Sequence, residues 1–270
     1  MLRFPAVAGR FYPSDPTELQ SAVRAYTATP DHGPRKVSAK ACLVPHAGYR
    51  YSGHVAGAVF SRIVLPKKIL ILGVRHRPPG EPVAILSTGA WRTPLGDAPI
   101  DEVLAAELRR TCPRLHEDFV AHRSEHSLEV QLPFLQVLDP DFTFVPIALG
   151  TIRFEELATI GEAIANVLAA SPGPILLVTS SDLNHYEDDV TTRRKDQSAI
   201  DRLLALDARG LYDTCRAEYI SMCGLGPAVA MLTALKTLGA TQAELVGHAT
   251  SADTSGDFST VVGYAGIIFP

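Results

Sequence analysis

A chain of 270 residues with 46% hydrophobic and 20% charged residues has the composition of a folded globular protein, long enough to bury a sizeable core. Its formal net charge of −4 gives no electrostatic footprint for a phosphate backbone or an anionic bilayer, so neither nucleic acid nor membrane is an expected partner. No apolar run reaches the roughly 20 residues that span a bilayer, and Pro5 interrupts the opening MLRFPAVAGRFYP, so no secretory leader is expected. The four cysteines (42, 112, 215 and 223) form no CxxC pair, which suggests reduced thiols in a cytoplasmic protein. The densest basic run, Arg193-Arg194-Lys195, lies among acids and reads as a solvated helix face.

In chain order, residues 16–27 read as a first helix and 28–37 as a polar Pro/Gly connector. ACLV ends a short buried strand over 40–45, and Val55, Val59, Phe60 and Ile63 share one face of the next helix. KKILILG (67–73) and PVAILS (82–87) are further buried strands. An amphipathic helix follows over 101–111, and a helix over 127–138 is bent or entered at Pro133. FTFVPIALG (142–150) is a strand, 154–170 the clearest helix, and PILLVTS (174–180) another buried strand. Helices over about 191–206 and 227–238 precede closing strands at 243–249 and 261–269. Short, uniformly apolar strands separated by helices imply a sheet covered on both faces. The expectation is one α/β domain over residues 1–270, three layers deep (α/β/α). The short final connection suggests a hairpin, hence a mixed central sheet.

Polar residues recur where the apolar strands stop. His46 follows ACLVP, His76 follows KKILILGVR, and Asp182 and His185 follow PILLVTSS. Open α/β sheets bind ligands outside the carboxyl ends of their strands, so parallel neighbours would bring these four side chains to one pocket. Imidazole suits Fe, Zn, Cu and Ni, and a catalytic metal needs about three protein ligands with a position left open. Asp182 and His185 are three apart, the spacing of one helical turn, so one could orient a ligand while the other handles protons. Cys223 precedes a glycine-rich entry into an apolar helix. A thiol there is read either as a helix-end thiolate of lowered pKa, a ligand for softer metals, or as a small buried residue at a turn. His126, in SEHSLEVQL, starts a helix and by itself reads as a cap or surface histidine. Tyr49 and Tyr51 either line the pocket mouth or pack. His32, His54, His116, His122 and His248 have no companion pattern and read as structural or solvent-exposed.

AVAGRFYP, PHAGYRYSG (45–53), ILGVRH (71–76), WRTPLGDAPID (91–101), EHSLEVQLPFL (125–135), SSDLNHY (180–186) and the Cys223-Gly224 pair occur in the order seen in the Memo family. By these motifs the chain resembles the Memo family across nearly its whole length. Prokaryotic members are called AmmeMemoRadiSam system protein B, which implies an AMMECR-type protein and a radical SAM enzyme as partners. The resemblance further implies a fold similar to class III extradiol ring-cleaving dioxygenases, which are non-haem iron enzymes. It implies a metal site at His46, His76 and Cys223, with Asp182 and His185 as further pocket residues and His126 as a second pocket histidine. Fe(II) is the expected metal, and thiolate with imidazole also accommodates Cu(I) and Zn(II). On the dioxygenase template His185 is the general base, and His126 helps hold substrate or superoxide. Two departures stand out. Arg77 replaces the second histidine of a frequent His-His pair, and Leu225-Gly226 replaces an Arg-His pair; the lost side chains are expected to have lined the pocket. Cys223 also stands where the dioxygenases have a carboxylate, adding an oxidisable ligand.

Three functions are left open. One is an iron-binding oxidoreductase or dioxygenase acting on an unknown small molecule. A second is a metal-independent hydrolase or transferase with Cys223 as nucleophile and His185 as base. The third is a non-catalytic adaptor or metal-handling partner of a radical SAM system.

Overall fold

The computed structural model describes residues 1–28 and 36–270; His32 and most of the 28–37 connector lie outside the described residues. The short strand β1 (Leu2–Arg3) precedes α1 (Pro16–Thr27), whose first free amides are capped by the Asp15 carboxylate. Then come β2 (Ala41–Val44), α2 (Tyr49–Ser61), β3 (Lys68–Val74), β4 (Val83–Ile85) and the hairpin of β5 (Ala90–Thr93) and β6 (Gly96–Pro99). Next are α3 (Glu102–Thr111), β7 (His116–Glu117), α4 (Phe119–Arg123), a 3-10 turn (Glu129–Gln131) and α5 (Leu132–Leu138). They lead into β8 (Thr143–Leu149), α6 (Phe154–Ala170), β9 (Ile175–Ser180) and β10 (His185–Glu187). The last elements are α7 (Asp189–Leu204), α8 (Ala208–Ala217), α9 (Leu225–Thr237), β11 (Glu244–Thr250), α10 (Ala252–Ser255) and β12 (Val261–Phe269).

The large sheet runs β10-β12-β2-β9-β3-β8-β4-β7, and β11 also pairs with β12. Its centre is parallel: β2 with β9, β9 with β3, β3 with β8. β4, β10, β11 and β12 make antiparallel pairs, so the sheet is mixed, as expected. The uniformly apolar strands serve two cores at once. On β3, Leu70 and Leu72 enter the core with α6 and α9, while Ile69 and Ile71 enter the core with α1, α2 and α5. Period-two alternation sends successive side chains to opposite faces. Both faces are covered, which completes the three-layer α/β/α architecture. β1, β5 and β6 form a separate small sheet around the buried Trp91.

Several expectations are corrected. The helix expected over 127–138 is divided, because Pro133 has no N–H to donate and is tolerated in the first turn of α5 after a separate 3-10 turn. Residues 181–184 are irregular and His185 opens β10, so Asp182 and His185 do not share a helical turn. The basic run on α7 is not simply solvated. Arg194 is exposed, but Lys195 is buried and binds Glu187 at 2.7 Å, and Arg193 is half-buried between Asp189 and Asp253. Tyr49 packs against Phe134 and donates its hydroxyl to the Val130 carbonyl, so of these two tyrosines Tyr51 is the one that reaches the pocket. Cys42, Cys112 and Cys215 are buried, unpaired core residues. Among the described residues no helix is long and apolar enough to cross a membrane.

Candidate metal centre

β9 lies between β2 and β3, and all three strands run parallel. Their carboxyl ends therefore open at one edge of the sheet, bringing together His46 after β2, His76 after β3 and Asp182 after β9. Cys223, just ahead of α9, and His126, between α4 and the 3-10 turn, complete the group. His46, His76, His126, Asp182, His185 and Cys223 all line one cavity of about 770 Å³. One ligand atom each from His46, His76 and Cys223 lie within 4.8 Å of one another.

The hydrogen bonds assign the tautomers of both ligand histidines. Ser180 donates its only hydroxyl proton to the Ser127 carbonyl at 2.6 Å, so its contact with His46 Nδ1 at 2.9 Å must be donated by the imidazole. His76 Nδ1 lies 2.9 Å from Glu125 Oε1, a carboxylate that only accepts. His46 thus carries its proton on Nδ1 and turns Nε2 toward the thiol, and His76 is held through an Nδ1–H donated to Glu125. His46 Nε2 is 3.1 Å from Cys223 Sγ. A metal bound at about 2.0–2.1 Å to nitrogen and about 2.3 Å to sulfur would need only a small parting of these two atoms. Imidazoles held through one nitrogen and free at the other are the usual arrangement around a metal, so these residues fit one.

Burial controls the charges. It pushes His46 down to about 3, helped by the neighbouring His76, so this ring is neutral at physiological pH. Burial also pushes His126 down to about 4, with His46 adding to it. The His126 ring stacks on His76 with centroids 4.5 Å apart. Burial pushes Glu125 upward, but hydrogen bonds from His76 and the nearby imidazoles outweigh it and hold the carboxyl at about 2. Burial raises Asp182 above the usual carboxylate range, opposed by amide donors from His46 and Ala47.

Of the two readings of Cys223, a helix-end thiolate or a small buried residue at a turn, the metal-free chain favours the buried thiol. Burial pushes it up and the Asp182 charge adds to this, outweighing the amides of Asp182 and Gly224. A bound metal ion would reverse this, because coordination deprotonates a thiol outright. Gly224 is required where it stands, since a Cβ there would fall 2.3 Å from Ser181 Cβ and push the Cys223 turn away from the strand end.

Of the departures from the family pattern, none lines the cavity. Arg77 is exposed, Leu225 packs on the core, and a Cβ on Gly226 would point at Thr151 O, 3.1 Å away, and at Leu157. The expectation that these positions line the pocket is therefore corrected. Glu125 is the functional residue that sequence reasoning missed. It was quoted within EHS, but nothing local indicates that it accepts from both the amide and the ring of His76, 49 residues away. Glu125→Gln keeps the shape and removes the anionic acceptor. Metal affinity is expected to fall by about 10–100-fold, measured by competition with a chromophoric chelator. An affinity equal to wild type would show that Glu125 does not orient His76.

Comparisons with known proteins place the chain in a family. The model of the Memo-like protein family matches residues 3–268. A MEMO1 family protein of Methanopyrus kandleri is 40% identical over 281 residues, covering 100% of this chain and 99% of its own. One from Methanosarcina barkeri is 42% identical over 270 residues, covering 99% of each chain. One from Aquifex aeolicus is 40% identical over 269 residues, again covering 99% of each. In fold alone, the chain is similar to the crystal structure of the uncharacterized protein JW3007 from Escherichia coli K12, with a TM-score of 0.53 and 14% identity over 84% of this chain and 98% of that one. The strand-end histidines, the cysteine before α9 and the full-length match lead to one assignment: the chain belongs to the Memo family.

Proposed function

We propose that this protein is a metal-dependent oxidoreductase that holds Fe(II) through His46 Nε2, His76 Nε2 and Cys223 Sγ. The observation that carries the reading is the pair of imidazoles each held through Nδ1, with His46 Nε2 3.1 Å from the Cys223 sulfur and one donor atom of His76 within 4.8 Å of both. Bound Fe(II) supplies electron transfer to an oxidant and Lewis acidity at coordination positions the protein leaves open. Copper or zinc would find the same donors acceptable.

The chain's own residues supply the rest. His126 is a neutral acceptor against His76, suited to holding a substrate hydroxyl. Asp182 and His185 flank Cys223 within 4.8 Å, and His185 Nδ1 is buried without a partner, which suits it to take or return a proton. Phe11, Tyr51, Tyr186 and Tyr264 wall the cavity, with Ser221, Ser251 and Thr260 as hydroxyls. Among the described residues no lysine or arginine lines it, so the reading favours an uncharged or cationic small molecule with a flat ring over a phosphate ester. A metal-independent cysteine nucleophile is less well supported. Burial and the nearby Asp182 charge push the Cys223 thiol up and away from the thiolate that a nucleophile needs, whereas the same sulfur with His46 and His76 forms a ready donor set for a metal.

The test is metal content. Tag-free chain reconstituted anaerobically with Fe(II) is expected to hold one iron per chain. His46→Ala, His76→Ala and Cys223→Ala should each lose it while keeping wild-type circular dichroism. Folded variants that retain iron as wild type does would end the proposal.

A further inference from the structure

We propose a second metal position in the same cavity, built from Asp182, His185 and Cys223, so that the Cys223 sulfur is shared between two ions. This rests on the reading that Cys223 is a metal ligand. One donor atom each from Asp182, His185 and Cys223 lie within 4.8 Å of one another.

The state of each donor favours this position. Asp182 spends Oδ1 on the amides of His46 and Ala47, at 2.7 and 3.3 Å, and keeps Oδ2 toward the cavity, 4.0 Å from His46 Nε2. The carboxylate is thereby fixed by one oxygen and free at the other. His185 sits on β10 with its amide bound to Ser221 Oγ, while its Nδ1 is buried with no hydrogen-bond partner. A buried polar atom without a partner is costly, and a metal ion would satisfy it. A thiolate keeps lone pairs after binding one ion, so Cys223 can serve both. A third grouping, His76, Glu125 and His126, lacks this freedom. Glu125 is already engaged by the amide and ring of His76 and by the Ser127 amide, and His76 Nδ1 is occupied.

One oxygen, one imidazole and one thiolate form a mixed donor set that suits borderline divalent ions such as Zn(II) or Co(II) better than Cu(I). Filling this position would turn His185 from a proton carrier into a ligand. The role of His185 in the proposed oxidoreductase thus belongs to the singly loaded protein.

The test is anaerobic titration of the full metal-free chain with Co(II), read by equilibrium dialysis and by thiolate-to-cobalt absorption. Wild type is expected to saturate at two ions per chain. His185→Gln and Asp182→Asn should each saturate at one, as should the His46→Ala/His76→Ala double variant. Asp182→Asn keeps the Oδ1 acceptor for His46 and so serves if His185→Gln misfolds. Wild type saturating at one ion overturns the proposal, whatever the variants do. If that ion survives His185→Gln and is lost in the double variant, the first centre stands and only the second falls. Wild type binding no ion removes both.

Discussion

Arg3→Ala lowers the unfolding free energy by roughly 3–5 kcal/mol, the cost of leaving one member of a buried ion pair uncompensated. Arg3 and Glu129 are ion-paired with both side chains fully buried. The guanidinium also donates to the carbonyls of His122 and Glu125 at 3.1 and 2.8 Å, and it lies 4.2 Å above the Trp91 ring. Without it, the Glu129 charge keeps only the amides of Ala6 and Val7 and the hydroxyl of Tyr12. Glu129→Ala strands the guanidinium in the same way. At about 2–4 °C per kcal/mol for a chain of this size, the melting temperature drops by roughly 6–20 °C. Urea unfolding followed by circular dichroism measures it. A variant within about 1 kcal/mol of wild type, the range of ordinary substitutions, would mean that the pair contributes nothing beyond its packing.

The metal-free protein loses stability as pH falls from 6.5 toward 4, and His122 accounts for a definable part of the loss. Its ring is completely buried, neither nitrogen has a partner, and burial together with the nearby Arg3 charge holds it down to about 4. In the unfolded chain a histidine protonates near 6.5, so below that pH the unfolded state binds the extra proton and gains. The loss begins at the unfolded value and levels off below the folded one. At pH 5 it amounts to about 2 kcal/mol for His122. His46 and His126 act in the same direction. Glu125 does not offset them in this window. Its depressed carboxyl adds stability that is lost only as pH drops from about 4.5 toward 2. His122→Phe, an apolar ring of similar size, removes one titrating group. The difference between wild type and variant should move by about 2 kcal/mol between pH 7 and pH 5. A difference that stays constant would exclude His122 from the acid response.

The parts of the fold that were legible are the ones whose chemistry is local. β2, β3, β8 and β9 are covered on both faces, so their sequences are apolar without interruption and could be read directly. β1, β7 and β10 have two or three residues each, and the β5–β6 hairpin has strands of four residues of mixed polarity; none carries a pattern long enough to see. The site divides in the same way. His46, His76 and Asp182 were visible because each stands where an apolar run stops. The charge state of Cys223 could not be read from its position ahead of a helix, because the desolvation of a buried thiol outweighs the helix-end effect. Glu125, Ser180 and Gln131 were not seen as a support for the two imidazoles, since those contacts join segments far apart in the chain.

The place of β12 in the sheet constrains biosynthesis. It covers the free edge of β2, pairing Ile267 with Leu43, and it also holds β10 and β11. While the ribosome is still translating the segments in between, β2 stands with its outer hydrogen-bonding groups bare, open to pairing with any other strand. The strand carrying His46 at its end therefore gains its permanent neighbour long after it is made, and Cys223 also emerges late. Metal acquired during synthesis would meet one or two loose imidazoles rather than a formed centre. A metal held at this centre would thus be loaded only after synthesis, and until β12 is made the bare edge of β2 is where a nascent chain is open to misassembly.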